Sequence, residues 1–310
     1  MNSNQLVINQ LLSLAFVAQT IRITVPYALA SLGGVYSERG GVTNIALEGI
    51  MLTGAFGATV GTYYSGNPLV GVICGVIFGL LTALIHAVIS INIKADQIIS
   101  GIAINLFAVG ITKFILEIVF HSSSNSDRIV GLPHIRLPYI DNSTEIGRLL
   151  GNPMVLMTFV VVVASHFIIF KTRFGLRLRA VGENPEAADT VGISVSAYRY
   201  CGVMVSGILA GLGGAWLAFD QHSFTDGMSA GRGFIALAAM IVGKWNPFGA
   251  AAACLLFGLA ESLEIQLQGV GLPTQFIQMI PYLATMVVLA GFIGKSIAPS
   301  ADGIPYEKER

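Results

Sequence analysis

Eight apolar runs, near residues 9–34, 45–64, 68–91, 98–120, 152–170, 199–219, 249–267 and 275–294, each approach the length needed to cross a bilayer. A hydrocarbon core of about 30 Å takes about 20 helical residues, and a helix satisfies its own backbone amides and carbonyls where water cannot. A ninth, shorter run at 231–244, bounded by Arg232 and Lys244, reads as a short or broken helix lined by protein. Only 11% of the 310 residues are charged and the mean hydropathy is +0.74, whereas soluble domains carry about 25% charged residues. The chain is therefore expected to be all-α, a polytopic transmembrane helical bundle of about nine spans forming a single membrane domain over 1–310.

Charge position carries more information than charge sum. The 17 basic and 17 acidic residues balance, so nothing points to nucleic acid. The polar loop 171–196 alone holds Lys171, Arg173, Arg177 and Arg179. With that loop in the cytoplasm and the spans alternating, Arg39, Lys94, Arg199, Lys244, Lys295, Lys308 and Arg310 join these four inside. Only Arg128, Arg136, Arg148 and Arg232 fall outside. This bias follows the positive-inside rule and predicts an external N-terminus, a cytoplasmic C-terminus and an extracytoplasmic loop at 121–150. Without the short ninth span, Lys295, Lys308 and Arg310 would be stranded outside, so the charges favour nine. The first apolar run lacks a basic flank and a small-residue cleavage site, so it is expected to be a retained span.

Thirty-six glycines are present, many at four-residue spacing inside spans, such as Gly71, Gly75 and Gly79 or Gly207 and Gly211. Small residues let helices approach closely where lipid supplies no hydrophobic drive. Cys74, Cys201 and Cys254 sit in apolar runs without a CxxC or His-rich neighbourhood and read as packing residues. Ala28-Leu-Ala-Ser-Leu-Gly-Gly34 reappears as Ile208-Leu-Ala-Gly-Leu-Gly-Gly214, and Ile45-Ala-Leu47 as Ile235-Ala-Leu237, on spans of opposite predicted direction. That pattern fits an inverted-topology repeat, whose interface is where transporters place their substrate.

The loop 171–196 contains its own helix signals. Asn184 suits an N-cap, Pro185 the first helical position, Glu186 the positive helix end and Gly192 the terminating left-handed position. The spacing predicts a helix of about two turns, roughly 10 Å long, with Ala187, Ala188 and Val191 free to dock on a partner. The run Phe174-Gly-Leu-Arg-Leu-Arg-Ala-Val-Gly-Glu-Asn-Pro-Glu-Ala-Ala-Asp-Thr-Val-Gly-Ile193, followed by Ser206-Gly-Ile-Leu-Ala-Gly-Leu-Gly-Gly-Ala-Trp216, resembles permease subunits of bacterial ABC importers in the branched-chain amino acid, simple sugar and nucleoside group. Gly40-Gly-Val-Thr-Asn-Ile-Ala-Leu-Glu-Gly49 is closer to the nucleoside members than to sugar permeases, which carry Asp-Leu-Ser there.

The resemblance extends over about 20–294 and implies a type II importer-like fold in the bacterial inner membrane. It also implies that Glu183, Asn184, Pro185, Glu186, Ala187 and Ala188 seat in a cleft of a cytoplasmic ATP-binding subunit. Further implied partners are a second homologous permease and an extracytoplasmic solute-binding lipoprotein. Relative to ribose-type permeases the chain is expected to lack the first span, in keeping with an external N-terminus.

For the solute path, Glu48 stands just inside a span, where a carboxylate is costly and faces a cavity or a partner. Nearby Thr43, Asn44 and the glycines Gly40, Gly41 and Gly49 would allow an unwound segment offering backbone groups to a neutral polar solute. The alternative is that Glu48 caps a helix start through the dipole. Asn105 suits either a base or ribose hydroxyl or a neighbouring helix. Tyr27, Phe107, Phe234 and Trp245 could stack on a nucleobase or simply pack. Lys113 and Glu117, four residues apart, are expected to neutralise one another, Arg22 to snorkel or pair, and the isolated His86 and His166 to be structural.

Gly294-Lys-Ser296 imitates the end of a phosphate-binding loop, but Leu289 stands where a glycine is required. ATP is therefore expected on a partner, with no cofactor or metal on this chain. HExxH and GxSxG are both missing from the sequence, and Asn142-Ser-Thr144 is only a weak glycosylation match. The expected function is an ATP-driven importer permease that is not itself an enzyme, with nucleosides as the leading cargo. Simple sugars or branched-chain amino acids are the alternative cargo, and an ion-coupled transporter the alternative class.

Overall fold

The computed structural model describes residues 13–135, 144–268, 273–291 and 296–308. Arg136, Asn142, Lys295, Arg310 and both extreme termini lie outside the described residues, and so do the sequence expectations that rest on them. The helices, in chain order, are α1 (Leu14–Arg39), α2 (Leu47–Ser65), α3 (Pro68–Ala87), α4 (Gln97–Phe120), α5 (Glu145–Leu150), α6 (Pro153–Lys171), α7 (Arg173–Glu183), α8 (Pro185–Thr190), α9 (Val195–Gln221), α10 (Arg232–Val242), α11 (Pro247–Leu267), α12 (Thr274–Gln278) and α13 (Ile280–Gly291). A single π turn, Val88–Asn92, prolongs α3.

Four helices start on the same dipeptide. Asn67, Asn152, Asn184 and Asn246 each accept a backbone N–H of the following turn through the side-chain oxygen, and the next residue is proline. The asparagine satisfies an orphan donor, and the proline, which has no N–H to satisfy, begins the helix at its fixed φ. Starts at Pro68, Pro153, Pro185 and Pro247 thus follow from local chemistry alone.

Six helices are long and apolar enough to cross a bilayer, namely α1, α3 with its π turn, α4, α6, α9 and α11. The chain is a multi-pass membrane protein. Helix α2, although 19 residues long, falls outside that set because Glu48, four glycines, three threonines and two tyrosines dilute it. It survives by being buried in protein. The apolar run at 275–294 is interrupted at Met279, which separates α12 from α13. Helix α10 has 11 residues, about 16 Å at 1.5 Å per residue, and so reaches only part of the way across.

Helix α9 is the hub, with α1, α2 and α3 packed around it. The three-way contact with α2 and α3 is made of glycine. A Cβ on Gly54 or Gly79 would lie 2.6 Å from the backbone of Gly211 or Gly207, and one on Gly211 2.7 Å from the Gly75 carbonyl. Backbones so close gain dispersion and leave no room for a methyl group. At the rim, Ile99, Leu106 and Phe114 of α4 are exposed, as suits a surface that meets lipid or another membrane subunit. The segment after α4 pairs with the one after α9: Ser126 N–H donates to the Phe224 carbonyl at 2.8 Å and Ile129 N–H to the His222 carbonyl at 2.9 Å.

Candidate functional site

At the end of the bundle that carries the basic loop, α6 turns into the short helices α7 and α8. Asn184 caps α8, its Oδ1 accepting from Ala187 N–H at 2.9 Å, with Pro185 first in the helix and Glu186 in its first turn. Gly192 follows at φ 80°. The expected cap and stop are in place, though the helix is six residues long. Glu186, Ala187 and Val191 face outward. Ala188, expected on the docking face, instead turns inward. It is 3% exposed and packs with Val181 and Val195, because the apolar side of so short a helix is needed to seat it on α7 and α9.

Glu183 points toward the bundle, with Oε1 3.9 Å from Arg39 Nη1 at the end of α1. Behind it Gly182 presses on the loop 40–46 that joins α1 to α2. A Cβ there would stand 3.2 Å from the Gly41 nitrogen and closer still to the Arg39 carbonyl. Gly41 itself sits at φ 82°, which only glycine adopts without strain.

That loop is irregular backbone inside the bundle, so its polar groups need partners. His86 of α3 donates from Nε2 to the Thr43 carbonyl at 3.0 Å, with Nδ1 3.0 Å from Ser100 Oγ. Thr43 N–H donates to Gln97 Oε1 at 2.7 Å. Asn44 Nδ2 donates to Ser206 Oγ of α9 at 2.8 Å, while its buried Oδ1 has no partner. Asn105 of α4 donates to the Ile45 carbonyl at 2.9 Å and accepts from Gly49 N–H at 2.8 Å. Among these, Gln97, Ser100 and the bond made by Ser206 were missed by the sequence reading. The only signal was a polar side chain at the edge of, or inside, an apolar run.

Just beyond the loop, Glu48 accepts from two amides of another helix start: Gly231 N–H at 2.8 Å to Oε1 and Gly233 N–H at 2.6 Å to Oε2. A carboxylate in this position satisfies orphan donors and complements the positive end of α10. Glu48 thus caps a helix, but not its own. At the far end of α10, a tight turn through Lys244 and Trp245 leads into α11, and Trp245 Nε1 donates to the buried Glu38 at 2.6 Å.

Trp245 and Tyr27 are packed, the latter bonded through its hydroxyl to Glu261, which also pairs with Arg232 at 2.8 Å. Phe107 and Phe234 lie on the exposed perimeter. Arg22 pairs with Asp220. Lys113 pairs with Asp226 at 3.2 Å and not with Glu117, because the 222–231 loop brings a carboxylate within its reach. His166 stacks on Phe248 and Phe170. Among the described residues no group of three or more His, Cys, Asp or Glu is placed to hold a metal ion.

The site is thus a capped short helix on one end of a long-helix membrane bundle, with loop 40–46 and the Glu48 cap of α10 behind it. Residues 16–293 match the model for the branched-chain amino acid transport system permease component, and the chain belongs to that family. It is a membrane-embedded permease subunit of an ABC importer, of a transporter family and not a catalytic enzyme family. The nucleoside ABC transporter permease protein NupC of Lactococcus lactis subsp. cremoris strain MG1363 is 44% identical over 95% of this chain and 97% of its own length. The guanosine ABC transporter permease protein NupQ of Bacillus subtilis strain 168 is 41% identical over 96% of this chain and 98% of its own. NupP, a second guanosine ABC transporter permease protein of the same Bacillus strain, is 28% identical over 89% of this chain and 82% of its own.

Proposed function

We propose that the chain forms the translocation path of an ATP-driven nucleoside importer, gated by an ATPase that grips α8. The observation that carries the cargo is similarity above 40% to two permeases of nucleoside and guanosine transport over nearly their whole length. The motif at residues 40–49 points the same way. That NupQ and NupP of one organism both resemble the chain supports pairing with a second, homologous permease. A cytoplasmic ATP-binding subunit and an extracytoplasmic solute-binding lipoprotein complete the assembly.

In this reading the basic end faces the cytoplasm, the N-terminus lies outside, the C-terminus inside, and α10 is the broken ninth span. The close antiparallel crossing of α1 and α9, in which Gly33 meets the Ser206 backbone, supports an inverted repeat, as does the location of Ile45-Ala-Leu47 and Ile235-Ala-Leu237 at two helix starts. ATPase closure moves Glu183, Asn184, Pro185, Glu186, Ala187 and Ala188 as a unit. Gly182 passes the motion to loop 40–46, and Glu48 at the far end of that loop carries it to α10. Asn44, Glu48 and Asn105 shape the path as the joints that hold α2, α4, α9 and α10 together, their polar groups being spent mostly on protein.

The test is uptake of radiolabelled nucleoside by proteoliposomes holding this chain, its ATPase and the second permease. Uptake should require ATP inside and stop without the ATPase. Uptake by this chain alone under an ion gradient would overturn the ABC reading, and competition by glucose or leucine but not by guanosine would overturn the cargo.

A further inference from the structure

The segment 296–308 lies across the basic end of the bundle and binds nearly every element that would have to move together. Ser296 Oγ donates to the Ile241 carbonyl of α10 at 3.0 Å. Ser300 donates to Glu183 Oε2 from both N–H and hydroxyl, at 3.3 and 3.1 Å, and Ala301 N–H donates to the Gly182 carbonyl at 2.9 Å. Arg199, 2% exposed in the first turns of α9, donates from Nη1 to the Ile304 carbonyl at 2.9 Å. Tyr306 packs against the Val181, Ala188 and Val195 cluster. Glu307 accepts from Lys94 beyond the π turn at 2.7 Å, and Lys308 reaches Asp189 of α8 at 3.1 Å.

A short helix of six residues between two loops is a poor lever on its own. A push applied to it would bend α8 against α7 before it displaced a span. The contacts of the tail remove that freedom. Glu183 is held between Arg39 and Ser300, the cluster that seats Ala188 is covered by Tyr306, and Asp189 is held by Lys308, while the same stretch of chain is fastened to α9 and α10. Exposed ion pairs add little individually, so the backbone bonds at Ala301 and Ile304 and the packing of Tyr306 carry the connection.

We infer that the C-terminal segment is a splint for the coupling helix, with Ser300 and Tyr306 as positioning residues that turn a push on α8 into movement of the bundle. The inference rests on the proposed coupling role of α8. It predicts that loss of the splint lowers solute moved per ATP consumed, a ratio that a simple loss of folded protein would leave unchanged.

The experiment uses the complete importer in proteoliposomes, with nucleoside uptake and ATP hydrolysis measured together. Tyr306→Ala, and truncation after Pro299, should each lower the ratio at least fivefold while hydrolysis continues. Should the truncated chain fail to insert, Tyr306→Ala alone decides. An unchanged ratio in Tyr306→Ala would overturn the splint. If Glu186→Lys uncouples the importer in the same series, the role of α8 stands even when the splint falls. If Glu186→Lys transports normally, the coupling role itself is lost.

Discussion

Glu48, Asn105 and Asp302 illustrate how a polar group inside or beside a membrane bundle is accommodated. Glu48 is tolerated because two glycine amides at the start of α10 meet its two oxygens. Glu48→Gln removes the charge and aims an amide group at a donor, and should cost about 1–3 kcal/mol, measured as a lower unfolding midpoint in detergent. Asn105→Leu strips loop 40–46 of two bonds and should destabilise by a similar amount. In the tail, burial pushes the Asp302 carboxyl up to about 6 from an ordinary 3.8, against the pull of the Thr43 hydroxyl, the Gly303 amide and Arg199. An acid whose folded value is raised binds more protons in the docked state than in the free one. Docking is therefore strongest below about 4 and weakens as pH rises through 6. Asp302→Asn should flatten that dependence and protect the tail from limited proteolysis at pH 7.5.

At the scale of elements, α8 and α10 are the two short helices on which the proposed mechanism turns. Asn184→Ala removes the cap of α8 and should cost about 1 kcal/mol, whereas Glu186→Lys leaves the fold intact and should abolish ATP-driven uptake. Insertion of Glu186→Lys, followed by membrane fractionation, separates the two effects. The cap, the proline and the stop of α8 were all legible in the sequence because they are local and lie within three or four residues of the backbone they serve. The inward turn of Ala188 was not, since it depends on Val195 and Tyr306, and Tyr306 is more than one hundred residues away along the chain. The same distance hid the partner of Glu48. Its dipole chemistry was recognised, but the helix it serves begins at Arg232.

For the whole molecule, glycine sets the density. Gly211→Leu would drive a side chain into the Gly75 carbonyl and should destabilise by about 1–3 kcal/mol or more, read as loss of folded yield. Gly110→Ala is the control, because a Cβ there meets nothing within 4 Å. It should be neutral or raise stability by about 0.5–1 kcal/mol through the better helix propensity. The proposed orientation predicts that Ser122→Cys is labelled by an impermeant maleimide in intact cells and Val191→Cys only after permeabilisation, the native Cys201 being removed in both.

By itself the sequence determined that this chain crosses a membrane as helices, that a short capped helix starts at Asn184-Pro185 and stops by Gly192, and that glycine governs the contacts. Each follows from composition or from residues close enough in the chain to touch without tertiary help. Only the tertiary structure decided which helix Glu48 caps, that Lys113 answers Asp226, and that the tail is fastened to the rod. Those pairings join residues far apart in sequence, and in a chain so uniformly apolar no periodicity marks which distant polar group will meet which.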